Sequence, residues 1–260
     1  VSGSVCTLND GERPCLDVPK VKDASAFNAT EYYAAAQTEI DFGQSAEVIK
    51  SAINRIISSD IQSLSYDEVW TALTYTDEDP NNSDNLILWY TGRSQAKSTN
   101  GSGGTASSNG DNWNREHSWP KSHGFPNESQ LAYTDIHHLR ATDISVNSSR
   151  SNLDFDNSDS PLAESPINRI DSDSFEPRND IKGDVARMMF YMDTRYEGSG
   201  SDGVEDLVLV NRLTSSSEPN LGFLCTLIAW NNADAVDASE QRRNDRIYEL
   251  QGNRNPFIDN

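Results

Sequence analysis

All four histidines of the 260-residue chain (His117, His123, His137 and His138) fall between residues 117 and 138. Histidine changes charge near neutral pH, which makes it the common base, acid or metal ligand of active sites. A fold that gathers every histidine into one window is expected to place that window at a working centre. The first half reads Asn114-Arg115-Glu116-His117-Ser118-Trp119-Pro120-Lys121-Ser122-His123. The second half runs Asp135-Ile136-His137-His138-Leu139-Arg140-Ala141-Thr142-Asp143 and on through Asn147 and Arg150 to Asn152.

Glu116 beside His117 suggests two tasks, a carboxylate that holds a hard cation and a neutral imidazole that takes a proton from water. Magnesium prefers oxygen ligands and keeps several waters, so few protein ligands suffice. Asn147 can supply a second oxygen. Thr142 and Asp143 are good N-caps for a helix starting near Ile144. That helix carries Asn147 in its first turns and Arg150 three residues later on the same face. The order strand, long loop, strand, helix is that of a ββα-metal, or His-Me finger, centre. Phosphodiester cleavage needs the three parts on offer here: a base, a cation at the phosphate, and a cationic side chain for the developing charge. One geometric tension arises. Neighbours on a strand point to opposite faces, so Glu116 and His117 reach one centre only if the backbone bends or a water mediates. By the same rule only one of His137 and His138 faces the site, and both, with Asn114 and Arg150, are read as supporting residues. His123 is read as supporting or exposed, and Trp113 and Trp119 as packing.

The net charge is −20, from 41 acidic and 21 basic residues. An ordinary nucleic-acid binder carries a basic footprint, which this chain lacks. An enzyme needs only a local positive groove and a cation. The acidic surface suits salty water, where the Debye length falls to about 3 Å and global repulsion is screened. Activity on nucleic acid is therefore expected to persist at molar salt, and digestion across a salt series would measure it. No apolar run of about 18 residues is present, so no membrane span is expected. No signal peptide is visible, and the first residue is Val1 rather than Met. Cys6 and Cys15 can close a small N-terminal loop in an exported protein, while Cys225 reads as a small buried apolar residue.

Along the chain, residues 1–25 read as a polar N-terminal segment and 26–260 as one domain. Apolar positions Ala46, Ile49, Ile53, Ile56, Ile57 and Ile61 have helical spacing. Ser65 and Glu68 form a capping-box signature. Asp77 to Asp84 reads as an acidic loop, Leu86–Tyr90 as a buried strand, 92–110 as a surface loop, and 153–182 as a polar connection. Further helices are expected from Gly183, over 221–231, and over 239–251 behind Asp237 or Ser239, the last ended by Gly252. Gly198–Gly203 reads as a loop and Val208–Val210 as a brief strand. The fold class is α+β, mostly helical with few short strands around the ββα core.

The window, with Val146-Asn147-x-x-Arg150-Ser151-Asn152, resembles the bacterial endonuclease I family. Gly183–Met192, Arg242-Arg243-Asn244 and Gln251–Phe257 resemble its longer members, so the likeness covers roughly 45–259 in order. The resemblance implies a sugar-non-specific endonuclease that cleaves DNA, and often RNA, to 5′-phosphate ends. It makes His117 the general base and Glu116 and Asn147 ligands of Mg2+, for which Mn2+ or Ca2+ can stand in. Members of the family place an arginine on the scissile phosphate, and in the best-known short members it sits in the loop between the two motifs. Here residues 124–134 contain no arginine. Arg140 is the replacement candidate, with Arg115, Arg150 and Arg187 as alternatives. Arg115, Lys121 and Arg187 are candidates for substrate binding. Arg242, Arg243 and Arg246 can meet phosphates or the protein's own carboxylates. A secreted monomer is expected, with the periplasm as the alternative location. Two other readings compete, a zinc hydrolase using the histidines and a non-enzymatic calcium-binding module built on the acidic loops. Since His117 must be neutral to act, activity is expected to rise through neutral pH.

Overall fold

Helices begin where side chains cap them. In the computed structural model, which describes residues 15–101, 112–198 and 203–259, α1 (Ala29–Tyr32) and α2 (Ala34–Asp41) lead into α3 (Ala46–Ile57), capped by Ser45. The Ser65/Glu68 capping box is formed at the start of α4 (Tyr66–Thr76). The next strands, β1 (Glu78–Asp79), β2 (Asn82–Ile87) and β3 (Ser94–Ala96), make a small antiparallel sheet. β4 (Trp113–His117) pairs antiparallel with β5 (Leu139–Asp143), with Glu116 opposite Arg140 and His117 opposite Leu139. Asp143 then caps α5 (Ile144–Arg150), accepting from the N–H groups of Ser145 and Val146. This is the strand–loop–strand–helix unit expected from the sequence.

Beyond it, β6 (Asp154–Phe155), β7 (Ser160–Pro161), β8 (Arg169–Ile170) and β9 (Ser174–Glu176) form a four-stranded sheet. The polar connection expected over 153–182 is thus a sheet, but its strands of two or three residues are too short to show a two-residue period. α6 (Lys182–Arg195) follows, then the parallel pair β10 (Val208–Leu209) and β11 (Asn220–Leu221). α7 (Leu224–Ala233), α8 (Ala238–Gln251) and α9 (Pro256–Asp259) complete the fold. Asp237 and Glu240 make a second capping box on α8, and Gly252 ends it at φ 92°. At Gly183 a Cβ would lie 2.2 Å from the Asp234 carbonyl oxygen, so only glycine allows α6 to approach the end of α7.

Several expectations are corrected. The strand placed at Leu86–Tyr90 starts and ends earlier, because the chain turns after Ile87 with Gly92 N–H donating to Leu88 O at 2.8 Å. That turn lets Trp89 N–H donate to Ala141 O at 2.8 Å, on the back of β5. The acidic loop at 77–84 is largely the β1–β2 hairpin. Over its described part the N-terminal segment packs against α4 and α8. Val18 is fully buried, Leu16 N–H donates to Thr71 Oγ1, and Val21 N–H donates to Glu249 O. Cys15 is disulfide-bonded, and Cys225 is an exposed free thiol rather than a core residue, since it lies on the outer face of α7. Cys6, most of the 92–110 loop and most of the 198–203 loop lie outside the described residues.

Two apolar clusters form the core. One packs Met188, Met189 and Met192 of α6 against Trp119, Phe125, Phe155 and Phe175. The other packs Trp70 and Leu73 of α4, Ile247 and Leu250 of α8, and the Trp113, Leu139 and Ala141 face of the ribbon. A polar latch ties the second cluster. Asp77, just past α4, accepts Arg243 Nε on Oδ1 at 2.7 Å and the β5 Ala141 N–H on Oδ2 at 2.9 Å. Arg243 Nη2 also donates to the carbonyls of Ile136 and Leu139. Burial opposes ionisation of Asp77, but Arg140 and Arg243 outweigh it and hold the carboxyl below the usual range. Removing one partner of a buried pair typically costs 3–5 kcal/mol. Asp77→Asn is therefore expected to lower unfolding free energy by about 3–5 kcal/mol, read as a lower urea midpoint at unchanged slope.

Candidate active site

Pleat alternation along β4 sorts the motif into two faces. Asn114 and Glu116 lie on the face toward α5, while Trp113, Arg115 and His117 lie on the face toward α4. The tension seen in the sequence is therefore real. Glu116 and His117 point to opposite faces, and they stand at the end of the strand, where both sides open onto the 118–138 connection.

Glu116 is 2% exposed. Its Oε1 accepts from the Tyr90 hydroxyl at 2.7 Å and from Arg150 Nη1 at 3.2 Å. Its Oε2 has no hydrogen-bond partner among the described residues. Burial raises the carboxyl above the usual range, opposed by Arg150 and Tyr90. Burial and the nearby carboxylate hold the Tyr90 phenol well above its ordinary value, so it remains a donor. Arg150 is fully buried and also donates to the carbonyls of His117 and Ser118 at 3.1 and 2.7 Å. One guanidinium thus locks the strand end and the carboxylate together. Asn114 Oδ1 accepts from Asn147 Nδ2 at 2.8 Å. This turns the Asn147 amide so that its oxygen is the uncommitted atom. The two free atoms, Glu116 Oε2 and Asn147 Oδ1, are hard oxygens, and such donors fit Mg2+, Mn2+ or Ca2+ rather than a zinc set of imidazoles and thiolates.

On the other face, His117 Nε2 lies 2.9 Å from the Tyr133 carbonyl oxygen. A carbonyl only accepts, so Nε2 carries the proton and Nδ1 holds the lone pair. Nδ1 has no hydrogen bond among the described residues. Tyr66, Tyr133, Phe125 and His138 ring the imidazole at centroid distances of 4.8–6.3 Å. Burial above all, helped by His138 and the nearby cations Lys121 and Arg115, holds His117 well below the ordinary 6.5. The ring is neutral at neutral pH, so the rise in activity expected through that range has its cause moved to more acid pH. Lys121 is exposed, and its Nζ donates to the Tyr133 hydroxyl at 2.8 Å. Arg115 lies 3.2 Å over the Tyr66 ring and donates to the Tyr66 carbonyl. Both cations therefore flank the base.

The other candidates lie elsewhere. Arg140 opposes Glu116 in the register, but its guanidinium turns to Asp77 and stacks over Trp89 at 3.7 Å. Arg187 is 1% exposed and bidentate to Glu240, and it also bonds Asn231 and the Asp234 carbonyl, which leaves it no face for a phosphate. Arg243 is held by Asp77, and Arg246 by Glu78. His123 bonds the Asn220 carbonyl and His137 bonds Asn253. His138 Nε2 donates to Ala132 O at 2.7 Å and stands behind His117 as a support. The four histidines do not converge, and no group of three His, Cys, Asp or Glu able to hold a metal occurs among the described residues. That arrangement gives the zinc reading no site. Tyr90 and Tyr133 were not foreseen, because a phenol and a backbone carbonyl brought in from distant segments leave no local pattern.

A strand-borne histidine held by a carbonyl, with a carboxylate and a helix-borne amide oxygen on the other face of the ribbon, is the residue set expected of a ββα-type centre. The sequence profile of the Endonuclease I family matches residues 45–260, and the chain belongs to that family and is a nuclease. It is 53% identical over 218 residues to an extracellular ribonuclease of Bacillus amyloliquefaciens, an alignment covering 84% of this chain and 72% of the relative. It is 50% identical over 229 residues to an extracellular ribonuclease of Bacillus subtilis (strain 168), covering 88% and 75%.

The buried pair beside the site makes folding pH-sensitive. Burial lowers both His137 and His138 from 6.5 to about 4. The unfolded chain then binds these protons first, so stability is complete above pH 6.5 and falls as pH drops toward 4. The loss is at most roughly 3 kcal/mol per histidine, at about 1.4 kcal/mol per pH unit. Melting temperature is expected to decline between pH 6.5 and 4, less steeply in His137→Gln; a flat profile would contradict this assignment.

Proposed function

We propose that the protein is an extracellular, divalent-metal-dependent endonuclease that hydrolyses RNA and DNA with little sequence preference, leaving 5′-phosphate ends. RNA is included on the names of its two relatives, and DNA on the resemblance to the endonuclease I family. The observation that carries the reading is the fixed tautomer of His117, whose Nδ1 lone pair has no hydrogen bond among the described residues, at the same strand end as Glu116, whose Oε2 is uncommitted.

In this reading His117 Nδ1 takes a proton from water, the resulting hydroxide attacks phosphorus, and the P–O3′ bond breaks as the O3′ oxygen takes a proton from solvent water to leave as the 3′-hydroxyl. Tyr133 O and His138 hold the ring in place. Glu116 Oε2 and Asn147 Oδ1 hold the cation, with Asn114, Tyr90 and Arg150 as positioning residues. When bound, the cation neutralises charge on the phosphate and the leaving oxygen. Lys121 and Arg115 draw the strand toward the base. Arg140 is not given the role of scissile-phosphate cation, because its guanidinium faces away from Glu116. The −20 charge fits an enzyme that works in salt and relies on local cations.

His117→Ala is expected to lower kcat/KM on RNA and on plasmid DNA by roughly 10²–10⁴-fold with an unchanged circular-dichroism spectrum. Asn147→Ala and Tyr90→Phe are expected to raise the Mg2+ concentration needed for half-maximal rate. Full activity in excess EDTA, or in His117→Ala, would sink the reading.

A further inference from the structure

Most of the arginines described above are bound to carboxylates, but Arg140 and Arg242 stand apart. Arg140 is only 9% exposed, yet its Nε is buried without a hydrogen bond among the described residues. Its Nε lies 3.4 Å from Asp77 Oδ1, an oxygen already bonded by Arg243 at 2.7 Å. Arg242 Nε and the indole N–H of Trp89 are also buried without partners. All three side chains line one cleft of about 270 Å3 between the end of α4, the Trp89 turn and the start of α8. Buried polar groups in native proteins are nearly always paired, and a buried guanidinium without an acceptor is costly.

The carboxylates around the cleft are already engaged. Asp77 is held by Arg243 and Ala141 N–H, Glu78 by Lys97 and Arg246, and Asp79 by Ser94 and Asn81 N–H. Asp180 pairs with Arg178, Asp184 with Arg187, and Asp237 caps α8. Arg242 Nη2 donates to the Glu78 carbonyl at 2.9 Å, so what remains uncommitted is Nε of Arg140, Nε of Arg242 and the Trp89 indole N–H. Guanidinium donors of this kind match the oxygens of a phosphate. The volume exceeds a bare phosphate, which leaves room for an attached sugar. Arg140 is the register partner of Glu116, but Glu116, His117 and Asn147 do not line the cleft, so it is distinct from the candidate catalytic centre.

We propose that this cleft is a second, oxyanion-binding site that takes a phosphate group, from the bound strand or from a released nucleotide. It gives a strongly acidic nuclease a local grip on a polyanion. The site goes beyond the hydrolytic reading and does not depend on His117. The test is binding without turnover. The intact protein in EDTA is titrated by calorimetry with inorganic phosphate and, separately, with a short phosphorothioate DNA oligonucleotide at constant ionic strength. Arg242→Gln and Arg140→Gln are each expected to weaken binding roughly tenfold, as loss of a charged hydrogen bond predicts. Arg242 sits at the rim, so its variant remains informative if Arg140→Gln fails to fold. Weakening with phosphate assigns a released product as the source, and weakening with the oligonucleotide alone assigns the strand. Unchanged affinity for both ligands in the folded variants overturns the proposal. A His117→Ala background is expected to give the same binding result, which separates failure here from failure of the nuclease reading.

Discussion

Asp77 holds the molecule in register. Its two oxygens join the end of α4, the backbone of β5 and an arginine of α8, three elements far apart in sequence. The carboxylate is buried, so its charge is tolerable only because cations and an N–H group surround it. That requirement sets where β5 lies relative to the helices. β5 in turn sets β4 by its antiparallel pairing, and β4 carries Glu116 and His117, the proposed ligand and base.

The ribbon solves a geometric problem. A strand sends adjacent side chains to opposite faces, and the candidate base and ligand are adjacent. The fold keeps the alternation and puts both residues at the strand's end. There Arg150, inside the protein, bonds the Glu116 carboxylate, the His117 carbonyl and the Ser118 carbonyl together. Each candidate side chain has one atom bound by the protein and one left over. Tyr90 and Arg150 engage Glu116 Oε1, Asn114 engages the Asn147 amide nitrogen, and the Tyr133 carbonyl engages His117 Nε2. Preorganisation of this kind aims the remaining lone pairs without cost at the moment of reaction.

The same economy governs the charges. Of the arginines suggested by the sequence as phosphate contacts, Arg187, Arg243 and Arg246 neutralise carboxylates inside the protein. This is the expected fate of an arginine in a chain with twice as many acids as bases. Lys121 and Arg115 keep their cations near the base, and Arg140 faces Asp77 and Trp89 in its cleft with its Nε lacking a hydrogen bond.

Local patterns in the sequence were enough for the parts whose cause is local. The capping boxes at Ser65 and Asp237, the Asp143 cap, the stop at Gly252 and the ββα order all follow from residues within one turn or one strand of each other. The motif spacing marked Glu116, His117 and Asn147, and the match to the Endonuclease I family agrees with the family resemblance. What lay beyond reach was set by distance along the chain. The sheet in 153–182 has strands too short to carry a period, and Cys225 is exposed because α7 packs only one face. The Tyr90 contact to Glu116, the carbonyl that fixes the His117 tautomer, and the turning of the Arg140 guanidinium to Asp77 also come from segments that meet only on folding. By itself the sequence determined which side chains could do the chemistry, since residue type and spacing are local properties. Only the tertiary structure decided which atom of each was left free, because burial and hydrogen bonding are properties of neighbours that the chain order does not specify.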